Sequence, residues 1–251
     1  MNKTRGTKVL MLATTLLAPL GLWGAGSGCA EQVKPYGVER QAAYLSPLKK
    51  REVWAVAPAV NLSGYRDADP LLQADIVYQQ LQQVRGLTVL PVNRVIEVYA
   101  TLKIDKVQSN EQAALVCDLL GCDGLVVPTV TAYDPYDPPK LGASIQLLSR
   151  PMTFARPANV DPRDLARQAA PKVVDATPTT VHMDIVQAVG MFDASNGSVR
   201  EALNGYAAGR HDPVGPMGSR EYLANMDRYC GFVYHELIGE VLNRAATRRR
   251  A

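Results

Sequence analysis

Short, continuous apolar runs alternate with segments of helical periodicity in the first half of the chain. The runs lie at residues 53–57, 87–90 and 125–127, and continuous apolar character over so few residues is typical of strands buried on both faces. The segments between them repeat apolar residues every three or four positions. Strands that alternate with helices over short connections predict an α/β fold whose first strands are parallel.

Helix boundaries in this half are marked by capping residues. Asp69 before Pro70 is typical of an N-cap followed by proline in the first helical position. Asn93 is a candidate cap for a second helix, and Ser109 with Gln112 has the spacing of a capping box.

Two cysteines flank the expected end of the third helix. If Gly121 is the left-handed residue that ends this helix, Cys117 and Cys122 occupy the two positions that touch in a Schellman motif. The spacing therefore predicts near neighbours, and both a buried contact and a disulfide stay open. Cys230 is expected apart from them, on the core face of the last helix.

The second half predicts antiparallel strands and a closing helix. Strands are expected at 144–148 and 181–192, followed by an Asn-Gly turn at 195–198 and an antiparallel return at 199–203. One amphipathic helix is expected from Ser219 onward. The fold class is therefore α/β, with a three-layer-like mixed sheet of parallel N-terminal strands and an antiparallel C-terminal hairpin, flanking helices and a long C-terminal helix.

Two proline features interrupt this pattern. Pro128 falls inside the third strand, where it lacks a ladder donor, so the strand is expected to end, bulge or meet an edge there. Residues at about 150–180 carry five prolines and form a long insertion, which is unusual within a compact domain. The single α/β domain is expected to span 51–251, insertion included.

The first fifty residues have the order of an export leader and a tether. Residues 1–28 hold a basic start, an apolar stretch of about 15 residues that is shorter than the ~20 of a spanning helix, and small residues before Cys29. The stretch 26–29 resembles the bacterial lipobox, with Gly26 where leucine is preferred. This resemblance implies a lipoprotein signal peptide, acylation of Cys29, including palmitate, and a lipid-anchored tether over 29–50. An ordinary secreted protein is the alternative.

Composition and charge exclude several classes of protein. The chain is 47% hydrophobic and 20% charged, which is ordinary for a globular protein. Without Lys3, Arg5 and Lys8 of the leader, the 27 basic residues fall to 24 against 24 acidic residues. A neutral mature chain has no electrostatic reason to bind nucleic acid.

Candidate chemistry is sparse. The three histidines, His182, His211 and His235, lack partners at metal-ligand spacing, and no nucleophile elbow, phosphate loop or dinucleotide motif occurs. We therefore expect no enzyme, no metal and no cofactor. The distinctive local segment is 133–140, where aromatic rings beside prolines form a stiff surface. It is either packed onto the domain or a partner-binding loop, through the residues Tyr133, Pro135, Tyr136, Pro138 and Pro139.

The order of these motifs resembles a family of bacterial envelope lipoproteins, the CsgG, LpoB and TolB N-terminal-domain-like family. The resemblance lies in the strand at 53–57 with Asn61-Leu62-Ser63, the helix from Pro70, the segment 86–90, the segment 119–127 and the turn at 192–197. The proline-rich insertion departs from the family pattern.

This resemblance implies a non-enzymatic role in assembling, regulating or secreting envelope structures, through an unidentified protein partner. Ala30 after Cys29 favours the periplasmic face of the outer membrane. A subunit of an oligomeric outer-membrane secretion channel is the alternative. Such a subunit needs about ten alternating residues per lipid-facing strand, but residues 181–192 lose their polar face halfway. A homo-oligomer stays open.

Overall fold

The computed structural model describes residues 46–48, 51–150, 183–211 and 215–249. The strands are β1 (Glu52–Val56), β2 (Val60–Asn61), β3 (Leu87–Leu90), β4 (Gly124–Asp134), β5 (Lys140–Ser149) and β6 (Asp184–Asp193). The helices are α1 (Pro70–Gln82), α2 (Val92–Leu102), α3 (Asn110–Leu120), α4 (Gly197–Ala207), α5 (Glu221–Ala224) and α6 (Met226–Arg248), with a 3-10 turn at Gly218–Arg220.

The strands form one six-stranded mixed sheet. Its order is β3-β1-β4-β5-β6, and β2 pairs with β4 beyond the end of β1. β1 is parallel to β3 and β4, whereas β5 is antiparallel to both β4 and β6. The predicted fold class is therefore confirmed: an α/β protein with parallel N-terminal strands, antiparallel C-terminal strands and a long C-terminal helix.

Two helical layers enclose the parallel half of the sheet. Successive residues of a strand point to opposite faces, so Trp54 and Val56 join the cluster beneath α1, α4 and α6, while Ala55 joins the cluster beneath α2 and α3. Burial on both faces explains why these strands are continuously apolar. On β6, α6 covers one face only, and around Val189 and Met191 the other face is not covered by any described element.

The predicted helix caps are met in part. Asp69 Oδ1 accepts hydrogen bonds from two backbone N–H groups of the first turn of α1, at 2.7 and 3.0 Å. Ser109 Oγ accepts from the N–H of Gln112 at 3.3 Å, but Gln112 Oε1 accepts from the N–H of Gln108, one residue before the cap. The cap at Asn93 is wrong, because α2 already begins one residue earlier, directly after a proline.

The hairpin predicted at 195–203 is wrong, because these residues begin α4. Asn196 is its N-cap, and the Asn196 Oδ1 atom accepts from the N–H of Ser198 at 3.0 Å. Arg200 reinforces the first turn by donating from Nη2 to the carbonyl oxygen of Ala194 at 2.9 Å. Asparagine serves equally in a tight turn and at an N-cap, and here the helix prevails. The antiparallel partner of β6 is β5.

The closing helix predicted from Ser219 is interrupted. Asn225 has extended backbone angles (φ −119°, ψ 112°), so α5 ends before it and α6 begins after it. The Asn225 side chain accepts from the N–H of Arg228 at 3.1 Å and caps α6. A polar side chain that bonds to nearby backbone favours a cap over the interior of a helix, which explains the break.

β4 continues through Pro128, where the sequence predicts an end, a bulge or an edge. The carbonyl oxygen of Val126 accepts from the N–H of Ala57 at 2.9 Å, and that of Val130 accepts from the N–H of Leu62 at 2.8 Å. Both oxygens therefore point toward the side of β4 on which β1 and β2 lie. The two-residue period places the nitrogen of Pro128 on that side as well, in the interval between β1 and β2. No ladder donor is required there, so proline is tolerated.

Several predictions concern residues that the structure does not describe. The leader at 1–28, the acylated Cys29, nearly all of the tether and the insertion from 151 to 182 lie outside the described residues, so those predictions stay predictions. Within the described ranges, none of the helices is both long and apolar enough to cross a membrane.

Candidate functional site

The end of α3 has the predicted Schellman geometry. Gly121 is left-handed, at φ 63°, and its N–H donates to the carbonyl oxygen of Asp118 at 3.2 Å. The N–H of Cys122 donates to the carbonyl oxygen of Cys117 at 3.0 Å. These are the two hydrogen bonds of the motif, so the predicted helix end is confirmed.

The two cysteines at this helix end are buried free thiols. A hydrogen bond that the Cys117 thiol donates to the Cys122 side chain, together with burial, raises the pKa of Cys117 well above its usual range. Cys230 lies on α6 in the core cluster on the other face of the sheet, and burial raises its pKa to about 12. The structure shows the pair as a buried contact between free thiols, and the disulfide alternative stays a prediction.

We expect the thiols of the folded protein to resist alkylation. Thiolate is the reactive species, and raised pKa values keep Cys117 and Cys230 protonated at about pH 8. A maleimide should therefore label neither residue in native protein, and both in guanidinium chloride after reduction, as counted by mass spectrometry. A mass lower by two hydrogen atoms for the unreduced peptide that contains Cys117 and Cys122 would instead identify a disulfide.

The described histidines form hydrogen bonds or ring contacts within the domain. His211 Nδ1 lies 2.8 Å from the carbonyl oxygen of Ala207. The His235 ring lies 4.8 Å from that of Tyr206, and burial, helped by the charge of Arg210, lowers the His235 pKa to about 4. Over the described ranges, no three histidine, cysteine or carboxylate side chains are grouped to hold a metal ion.

The tyrosine–proline segment singled out by the sequence forms the connection between β4 and β5. Asp134 Oδ1 accepts from the N–H of Tyr136 at 3.2 Å, which turns the chain immediately after β4. At the other end, the carbonyl oxygen of Pro139 accepts from the N–H of Ala194 at 3.0 Å. Pro139 is buried, whereas Tyr136 is 72% exposed. The connection is therefore fixed at both ends and displays an aromatic ring at its tip.

The base of this connection is tied to the end of β6 by charge. Lys140 Nζ lies 3.1 Å from Asp193 Oδ2, and the two residues are paired in register. Hydrogen bonds from Ser195, with a smaller contribution from Lys140, lower the Asp193 pKa to about 2. The carboxylate therefore stays ionised throughout the physiological pH range.

A third tyrosine, from the loop before α1, completes a cluster with Tyr133 at the end of β4 and Tyr136 of this connection. The rings of Tyr65 and Tyr133 have centroids 5.6 Å apart, within the range of favourable aromatic pairs. A hydrogen bond to Tyr136, followed by smaller effects, raises the Tyr65 pKa. Burial raises that of Tyr133, which packs against the core. We call Tyr65, Tyr133 and Tyr136 the tyrosine surface.

The loop that carries Tyr65 is held by the Asn61 side chain. Asn61 Nδ2 donates to the carbonyl oxygens of Tyr65 at 2.8 Å and Ala68 at 2.9 Å, and its Oδ1 accepts from the N–H of Ser63 at 3.0 Å. One side chain thus fixes both limbs of the loop. The tyrosine surface is consequently displayed by the end of β4 and by two loops that each have internal hydrogen bonds.

The structure packs some of the predicted loop residues onto the domain and leaves others at the surface, and a partner-binding role for them stays a prediction. Tyr133 and Pro139 are packed onto the domain, and Tyr136 is presented to solvent. Pro135 and Pro138 are half-buried beside it. The sequence alone did not identify Tyr65 as part of this site. Its signal is topological: the parallel strands β2 and β4 run in the same direction, so the loops after them lie at the same edge of the sheet.

Several solved protein structures are similar to this chain. No family model and no curated protein matches it. The LpoB C-terminal domain from Salmonella enterica is 11% identical over 42% of this chain and 76% of that domain, with a TM-score of 0.35. Lipoprotein GNA1162 from Neisseria meningitidis is 12% identical over 65% of this chain and 99% of its own, with a TM-score of 0.36.

A third similar structure is a PelC dodecamer from Paraburkholderia phytofirmans. It is 10% identical over 77% of this chain and 91% of its own, with a TM-score of 0.32. The solved structures similar to this chain thus include a bacterial lipoprotein and an oligomer. All three TM-scores are low, so the function has to be inferred from the residues of this chain.

Proposed function

We propose that this protein is a lipid-anchored, non-enzymatic component of the bacterial cell envelope that binds a protein partner through the tyrosine surface. The observation that carries the proposal is Tyr136, an aromatic residue that is 72% exposed at the tip of a connection fixed at both ends. Exposed large aromatic residues held in place are typical of interaction sites.

The rigidity of the surface favours binding. Association costs free energy when loops and side chains become ordered, and a connection already fixed by Asp134 and Pro139 loses little freedom. Tyrosine offers a large contact area with only two side-chain torsions and a hydroxyl that can exchange one hydrogen bond for another. The tyrosine surface therefore combines the properties of a preorganised binding site.

The leader supports the location. Small residues before Cys29 support acylation there, and several acyl chains on one residue give stable attachment, since each buried methylene contributes ~0.8 kcal/mol. Residues 30–50 would then let the domain reach its partner at a distance from the bilayer. Ala30 supports the periplasmic face of the outer membrane.

Site-specific photo-crosslinking in living cells tests the proposal. A photoreactive phenylalanine analogue in place of Tyr136 should give one discrete crosslinked partner, whereas the same analogue in place of Tyr78 on α1 should not. Tyr136→Ala should reduce recovery of that partner by about tenfold in a chemical crosslinking pull-down, and Tyr78→Ala should leave it unchanged. Equal recovery with both variants would contradict the role of the surface. Crosslinks to copies of this chain alone would instead favour the oligomer.

A further inference from the structure

Within the part of the chain that the structure describes, no strand pairs with the outer edge of β6 along its second half. The carbonyl oxygens of Ile185 and Gln187 accept hydrogen bonds from Arg248 and Arg244 of α6, so they point away from β5. Because strand geometry repeats every two residues, the backbone groups of Val189 and Met191 point the same way. Among the described residues, none forms a hydrogen bond with them.

The arginines divide this edge into a protected and an unprotected half. Exposed strand edges invite pairing with another chain, and proteins commonly cover them with charged side chains. Arg248 and Arg244 do so for the first half of β6, but the protection ends at Gln187. Beyond it, the side chains of Val189 and Met191 are 62% and 63% exposed. This second half presents an apolar surface together with unused backbone groups.

A groove of about 550 Å³ runs beside the unprotected half, between β6 and α6. Val189 and Phe192 line it from the strand, and Glu236, Glu240 and Arg244 line it from the helix. Glu240 forms an ion pair with Arg244, whereas within the described ranges Glu236 has no cation in ion-pair distance. Glu236 remains solvent-exposed, and partial burial raises its pKa, which is the direction expected for a carboxyl group partly desolvated without a cation beside it.

The charge of the groove disfavours a second copy of this chain as its occupant. Arg248 lies beside Ile185 and Arg244 lies beside Gln187, so α6 runs antiparallel to β6. The next two turns of α6 toward its N-terminus therefore place Glu240 and Glu236 beside the second half of the strand. A symmetric pairing of two β6 edges about this half would bring the glutamates of both copies together. Like charges across such an interface are unfavourable.

We propose that the second half of β6 binds an extended segment of a partner protein, which adds to the sheet as a further strand and places a lysine or arginine against Glu236. Main-chain hydrogen bonds to Val189 and Met191 would supply affinity, and the groove would select the basic side chain. This site is separate from the tyrosine surface and does not depend on its role.

Two synthetic peptides provide the test on the mature protein in detergent. Both are extended sequences of alternating valine and threonine, one with a central lysine and the other with a central glutamate. Fluorescence anisotropy should show the lysine peptide binding at least about tenfold more tightly than the glutamate peptide. Glu236→Lys should reverse this preference, whereas Glu201→Lys on the exposed face of α4 should leave it unchanged.

Met191→Pro tests whether the backbone of the β6 edge takes part in binding. It removes the Met191 N–H, which points away from β5, and leaves the hydrogen bonds between β5 and β6 intact. It should weaken binding of the lysine peptide by about tenfold or more while the far-UV spectrum stays native. Tyr136→Ala should bind the peptide normally, which separates this site from the proposed function. Failure of the lysine peptide to bind, equal binding of both peptides, or indifference to Glu236→Lys would overturn the proposal.

Discussion

Replacing Cys29 by alanine is expected to abolish acylation and stable membrane attachment of the mature protein. The lipobox-like sequence offers a single thiol for the lipid, and no other residue of the leader can replace it. Loss of two or more acyl chains removes tens of methylenes at ~0.8 kcal/mol each, far more than a protein surface contact restores. We therefore expect an unprocessed or soluble species in place of the anchored protein.

Metabolic labelling with palmitate measures this effect directly. Wild-type protein and Cys122→Ala should incorporate the label, since Cys122 is buried in the folded domain, whereas Cys29→Ala should incorporate none. Fractionation with alkaline carbonate should leave the first two proteins with the membranes. Persistent label in Cys29→Ala would contradict the assignment of this residue as the anchor.

Replacing Trp54 by alanine is expected to cost ~3–5 kcal/mol of the free energy of unfolding. Trp54 is 1% exposed and lies in the middle of β1, paired with Val89 of β3 and Gly124 of β4. The tryptophan Nε1 atom donates to Glu52 Oε2 at 2.9 Å, and Glu52 forms a largely buried ion pair with Arg249. Truncation thus leaves a cavity and removes a donor from a buried carboxylate.

Trp54→Phe separates the two contributions. Phenylalanine retains most of the apolar contact but cannot donate to Glu52, so we expect a smaller loss of ~1–3 kcal/mol. Guanidinium unfolding followed by far-UV circular dichroism gives both values from one type of measurement. A loss below about 1 kcal/mol for Trp54→Ala would show that β1 is not the centre of the core.

Arg249 illustrates an interaction that local sequence could not predict. It lies 197 residues from Glu52, in a run of basic residues that is typical of a solvated helix end or of a contact with anionic headgroups. The fold brings the end of α6 beside the start of β1, where the arginine meets the carboxylate that also accepts from Trp54. Its partner depends on how α6 packs across the sheet.

The fold class and several element boundaries were predictable because their causes are local. Continuous apolar runs identify β1, β3 and the start of β4, Asp69 caps α1, and Gly121 ends α3 in the geometry that places Cys117 against Cys122. Each of these outcomes depends on contacts between residues a few positions apart, or on burial of a strand on both faces. Features with such local causes can be predicted from the sequence alone.

Tertiary structure decided the features that local chemistry leaves balanced. Asn196 is equally suited to a turn and to a helix cap, and packing of Leu203 and Tyr206 into the core favours the helix. The position of β6 at the end of the sheet, which leaves Val189 exposed, follows from strand order. The ring contact between Tyr65 and Tyr133 likewise needs two segments that are distant in sequence. The sequence by itself determined the strands and helices whose causes are local, and only long-range packing decided the helix at Gly197–Ala207 and which surfaces stay open for binding.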